Sequence, residues 1–105
     1  MSEFTVSTDA HIQVVDVTDR VAAALPENAG GTCTVFVEHT TAGVIVQEAE
    51  PRLVEDIERA VGELVPDEGW RHDELDGNAD AHLRAMFLGE HVSVPVSDGE
   101  LDLGT

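Results

Sequence analysis

The alternation of apolar and polar positions divides the chain into short periodic segments. "EFTVST" alternates and "HIQVVDV" runs apolar over strand lengths, with "TDA" between them, which predicts two strands. "TDRVAAALP" then predicts a short helix, with Thr18 as its N-cap and Pro26 beyond its end. "ENAGG" follows as a loop. In "TCTVFVEH" one face carries Cys33, Val35, Val37 and His39, and the other carries Thr34, Phe36 and Glu38. After "TTAG", the run "VIVQE" predicts a further strand.

The clearest helical stripe comes next. Leu53, Ile57, Val61 and Leu64 recur on one face, flanked by Val54 and Val65, with Pro51 in the first turn and Pro66 at the end. The opposite face is mainly acidic, so this helix supports a core; membrane-surface helices carry Lys and Arg there. "DEGWRHDELDGN" is a polar loop of about a dozen residues, longer than the usual connection and therefore a candidate functional segment. "NADAHLRAMFLG" predicts a second long helix, capped by Asn78, with Asp80 at its positive end and Gly89 stopping it. "HVSVPV", the turn "SDGE" and "LDLGT" predict a hairpin. Grouped helices and neighbouring strands make the fold class α+β with antiparallel pairs, in one domain spanning 1–105.

Charge narrows the partners. The chain has 22 acidic residues against five arginines and no lysine, for a net charge of -17. Duplex nucleic acid needs a basic face and is excluded as a partner. Dispersed acids of this kind suit a salty cytosol, where ions screen the self-repulsion. "MSEFTVSTDA" shows neither a basic n-region nor an apolar h-region, and no run approaches the roughly 18 apolar residues of a membrane span, so a soluble cytoplasmic protein is expected. The single Cys33 excludes an internal disulfide and reads as a small buried hydrophobe.

Candidate chemistry lies with the histidines. Of His11, His39, His72, His82 and His91, three have telling contexts. His39 ends an apolar strand, His72 follows Arg71 in the long loop, and His82 sits in the first turn of a capped helix. A strand end, a loop and a helix start can converge at the mouth of a small core. Three imidazoles with an open fourth position suit zinc, whereas the same residues without metal suit acid–base work near neutral pH. Thr40 and Thr41 offer hydroxyls, Arg71 a phosphate fork, and residues 79–82 a positive helix end. Arg71 serves equally as a surface partner for Asp73 or Glu74. Glu48 reads either as a general base or metal ligand, or as an acid leading into the helix at Pro51. Trp70 reads as a lid or as satellite core.

"FVEHTTAGVIVQE", "WRH", "DGNADAHLRAMFLG" and "VSVPVSDGELDLGT", together spanning residues 11–105, resemble the YjbQ family of small proteins, associated with secondary thiamine-phosphate synthase activity. The resemblance implies mostly antiparallel sheets in a sandwich-like arrangement, ordered ββαββααββ(β), assembling as a homotrimer. Family members usually continue past Gly-Thr with Trp-Gln and another strand; in a chain stopping at Thr105 that last strand is expected to be missing. His39, His72 and His82 match the family's clustered histidines, with zinc or magnesium as the implied metal. Glu48 stands in Gln47-Glu48-Ala49, where many members have Asn-Glu-Asn. By this resemblance His39, His72, His82 and Glu48 are catalytic, and Thr40, Thr41, Arg71 and Asn78 bind a small phosphorylated molecule. The implied reaction joins a pyrimidine diphosphate to a thiazole phosphate and releases pyrophosphate. With one local arginine and no lysine to hold departing phosphate, that activity is expected to be weak or secondary. A non-catalytic metal- or anion-binding module and a zinc-dependent hydrolase would use the same residues.

Overall fold

A computed structural model of the chain describes residues 2–104. The elements are α1 (Thr18–Ala23), β1 (Gly31–Phe36), α2 (Pro51–Leu64), a 3₁₀ turn (Arg71–Glu74), α3 (Ala79–Leu88), β2 (His91–Ser97) and β3 (Glu100–Leu101). One three-stranded sheet has the order β1-β2-β3. β2 and β3 are antiparallel, with Val96 opposite Leu101 and Ser97 opposite Glu100. Thr34 meets Ser93 through their hydroxyls at 2.9 Å, and the Val37 amide donates to the Glu90 carbonyl at 2.8 Å. Numbering rises along β1 as it falls along β2, so this pair is antiparallel too. The fold is a small α+β one with an antiparallel sheet.

Three expected strands do not form. "EFTVST", "HIQVVDV" and "VIVQE" carry no ladder among the described residues. Alternation favours an extended backbone, but a strand exists only where a second backbone supplies donors and acceptors. Val44 finds one such partner, its amide donating to the Gly89 carbonyl at 3.1 Å. The next two residues leave their side chains in solvent, Ile45 at 43% and Val46 at 55% exposure. The order therefore departs from ββαββααββ(β), and among the described residues one sheet stands where a sandwich was expected.

The chain forms two compact units, the first running to Val35 and resuming at Ser93, the second from Phe36 to Val92. In the first, Val21, Val94 and Val96 are buried. Its β2–β3 turn holds Asp98 at φ 51° and Gly99 at φ 78°, the two positive angles that tighten a hairpin in the hand of its strands. The Gly99 amide donates to the Ala29 carbonyl at 2.8 Å. Helix α1 starts from Val17, not Thr18: the Asp16 carboxylate accepts from the Thr18 hydroxyl at 2.6 Å and the Thr18 amide at 2.9 Å. Those two bonds, the hydroxyl's first, hold the Asp16 carboxyl below its ordinary range.

The second unit is built on α2 and α3. α2 opens on Glu50, whose carboxylate accepts from the Leu53 amide at 2.8 Å, with Pro51 in the first turn. Arg52 beside it, and then that amide, hold the Glu50 carboxyl below its ordinary range. Leu53, Val54, Ile57 and Val61 are half-buried, whereas Leu64, expected on the same stripe, is 55% exposed. The interior holds Val65, Ala79 and Ala85 together with a charged pair, Asp80 at 1% and Arg84 at 4% exposure. The Arg84 guanidinium donates to the Val61, Gly62 and Val65 carbonyls at 3.2, 3.4 and 2.6 Å, satisfying acceptors that the end of α2 leaves without intrahelical partners. It also donates to Asp80 and Asp67, each at 2.5 Å. One buried arginine thus ties α3 to the end of α2 and to the loop after it. Asp80 stands in the first turn of α3, as expected, and is also the buried partner of Arg84.

Candidate functional site

The site is built where α3 meets two loops of the second unit. "HTTA" is a turn: the Ala42 amide donates to the His39 carbonyl at 3.3 Å, with Thr40 and Thr41 at its centre. Gly43 follows because the backbone runs hard against the end of α3. A Cβ at Gly43 would lie 2.6 Å from the Leu88 Cβ and 3.0 Å from the Gly89 carbonyl oxygen. The strand therefore ends in a turn that returns at once along α3, placing His39 beside that helix.

The polar loop is shaped by its own carboxylate. Asp73 accepts from the Trp70 amide at 3.1 Å through one oxygen and from the Ala79 amide at 3.3 Å through the other. The Trp70 indole donates to the Pro66 carbonyl at 2.9 Å. One aspartate therefore closes the 3₁₀ turn and fixes it to the first turn of α3. The Ala79 bond also supplies the cap expected of Asn78, whose side chain makes no capping bond and whose Oδ1 is buried without a hydrogen-bond partner.

Two open clefts result, sharing one wall. The first, of about 420 Å³, is lined by Trp70, Arg71, His72, Ala79, His82 and Leu83. The second, of about 380 Å³, has His39, Thr40 and His82 beside an apolar floor that includes Phe36 and Met86. His82 faces both. The His72 and His82 rings stand edge to face, with centroids 5.1 Å apart and planes at 87°. His72 also has Asp76 3.7 Å from its Nε2.

The structure brings the expected residues together in part. His72, His82 and Arg71 share the first cleft; His39 and Thr40 line the second, which also has His82 in its lining. Thr41, Glu48 and Asn78 line neither. Glu48 is exposed, its amide bonded to Gln47 Oε1 at 2.9 Å, and the acid leading into α2 is Glu50. Among the described residues, the ring nitrogens of His39, His72 and His82 do not form a set lying within 4.8 Å of one another. Arg71 makes no ion pair with Asp73 or Glu74. Arg52, Arg59 and Arg84 pair with carboxylates, and Arg20 donates to the Thr5 carbonyl at 2.7 Å, leaving Arg71 the arginine without an ion pair or hydrogen bond among the described residues.

Sequence reasoning passed over Asp73 and Arg84. Asp73 gave a usable signal: it lies three residues after Trp70 and six before Ala79, ahead of a helix whose first turn needs acceptors. Arg84 lies four residues after Asp80, the spacing of a helical ion pair, though nothing local indicates burial.

The chain matches the family model described as UPF0047 protein YjbQ-like over residues 2–105. It is 43% identical over 104 residues to a UPF0047 protein of Archaeoglobus fulgidus, covering 98% of this chain and 82% of that one. A crystal structure of a hypothetical protein from Aeropyrum pernix K1 superposes with a TM-score of 0.90 at 46% identity, covering 97% of this chain and 78% of that one. A YbjQ-like protein of unknown function from Sulfolobus solfataricus P2 gives 0.84 at 39% identity, covering 95% and 75%. No helix among the described residues is long and apolar enough to cross a membrane. These relatives are described by family or as of unknown function, and none carries thiamine-phosphate synthase activity in its description. That reading is withdrawn, in line with a pocket that offers one arginine and no lysine to a departing pyrophosphate. The sequence match across nearly the whole chain and the shared fold lead to one conclusion: the chain belongs to the YjbQ-like UPF0047 family.

Proposed function

We propose that the first cleft binds a small phosphorylated molecule, gripped by Arg71 and by the His72–His82 pair. The observation that carries this reading is the state of Arg71. In a chain of net charge -17, an arginine that forms no ion pair among the described residues stands beside two imidazoles on the wall of a cavity. A guanidinium fork matches two phosphate oxygens, and an imidazole N–H donates to a third. Trp70 lines the same cleft beside Arg71.

Zinc belongs to this proposal only as an addition to the imidazole pair, where it would serve as a Lewis acid for phosphate oxygens, whereas magnesium takes oxygen ligands and does not fit two imidazoles. A three-histidine zinc centre does not fit the spacing described above. The homotrimer is likewise a proposal, supported by Phe87, which is 60% exposed and lines neither cleft. Light scattering on the purified chain tests it. Trp70 is the only tryptophan, so its emission reports on the cleft. Titration with phenyl phosphate should change that emission saturably. Arg71→Gln should weaken binding about tenfold, the effect of losing a charge-assisted hydrogen bond. Equal affinity in Arg71→Gln and the parent refutes the reading.

A further inference from the structure

We infer that the natural ligand of the two neighbouring clefts is an amine-bearing phosphate ester, its phosphate at Arg71 and its apolar, amine-carrying body reaching across His82 into the second cleft. The inference rests on the phosphate reading above and adds the chemistry of the other end of the molecule.

His82 lines both clefts, so a ligand whose phosphate lies beside His72 and His82 has the second cleft as its neighbour across the His82 ring. What it meets there differs in kind. The second cleft has Phe36, Val37, Ala42 and Met86 along its floor, with Glu38 and Glu90 at its edge. No arginine lines it. A second phosphate placed there would face two carboxylates, whereas an apolar body ending in an ammonium would cover the floor and meet opposite charge. Whole-chain electrostatics favour the same ligand. At net charge -17 the protein repels a phosphate dianion at long range, and a cation elsewhere in the ligand offsets that repulsion. Two of the groups at the edge are already engaged only loosely: Glu90 lies 3.4 Å from His91 Nδ1, and Glu38 is exposed.

The reading has a direct test on the full chain. Trp70 emission, or calorimetry, is followed with three probes: inorganic phosphate, phenyl phosphate and 4-(2-aminoethyl)phenyl phosphate. Affinity should rise at each step, by about tenfold for the ring, since an aromatic surface leaves water. The amine should add about threefold, the scale of an exposed ion pair. The paired substitution Glu38→Gln with Glu90→Gln should remove the amine's gain, read as the ratio of affinities for the two esters within that variant. Raising the salt concentration should shrink the amine's gain as well. Two outcomes overturn the inference alone: Arg71-dependent binding with equal affinity for the two esters, or an amine gain that survives in the doubly substituted chain. Absence of Arg71-dependent binding by all three probes overturns the phosphate reading and the inference with it.

Discussion

Replacing Arg84 by methionine should unfold this protein more effectively than any change at the clefts. The side chain is 4% exposed, and its guanidinium serves two carboxylates and three carbonyls of the second unit. Methionine keeps an unbranched apolar stem but lacks the guanidinium, so the loss is mainly electrostatic and polar. Asp80, at 1% exposure, loses its counter-charge, and the end of α2 loses a donor. Breaking one partner of a buried pair costs about 3–5 kcal/mol, against a total stability of about 5–15 kcal/mol for a domain of this kind. With a urea slope of about 1–3 kcal/mol per molar, the midpoint should fall by at least about 1 M. Circular dichroism during urea unfolding reads this directly. Should Arg84→Met fail to fold, Arg84→Lys keeps the charge but loses the fork, and should give an intermediate midpoint. The double variant Asp80→Asn with Arg84→Met should be less damaged than the two single losses combined, because the buried charge is gone with its partner. A loss below about 1 kcal/mol in Arg84→Met, or strict additivity in the double variant, would refute the clamp.

Other consequences follow from particular contacts. Asp73→Asn weakens the acceptor shared by Trp70 and Ala79 and should shift Trp70 emission toward that of solvent-exposed indole, lowering phenyl phosphate affinity with global stability reduced by about 1 kcal/mol; an unchanged spectrum refutes its role in shaping the cleft. Gly43→Ala places a Cβ 2.6 Å from Leu88 and should cost about 1–3 kcal/mol by thermal melting. Glu50→Gln tests pH dependence. The folded carboxyl lies below its ordinary 4.5, so its contribution is present above that value and disappears as pH falls through the lower folded value. The melting-temperature difference between parent and Glu50→Gln should therefore narrow from pH 6 to pH 3, and a constant difference refutes the assignment. Potassium chloride should raise the melting temperature of the parent up to about 1 M, where the screening length falls to about 3 Å and the self-repulsion of -17 charges fades.

Much of the architecture was legible in local pattern. The stripe of α2, begun by Pro51, and α3, stopped at Gly89, follow from periodicity and end chemistry that act within a few residues. The Asp98-Gly99 hairpin is equally local, because the turn demands two positive φ angles that those residue types supply. His39, His72 and His82 could be picked out, since each stands where an element begins or ends. Their final arrangement could not. His72 and His82 approach because Asp73 joins the loop to α3, and His39 approaches His82 from the other side because Gly43 lets the backbone press against Leu88.

What the sequence alone determined, then, was which segments coil, which extend and where they stop, because helix ends and tight turns are settled by neighbours a few positions away. Only the tertiary structure decided that "VIVQE" stays without a ladder, that Arg84 and Asp80 lie inside, and that Arg71 is left without an ion pair beside two imidazoles. Each of those outcomes depends on a partner distant in sequence or on burial. Periodicity names no distant partner and gives no sign that a charged pair is buried.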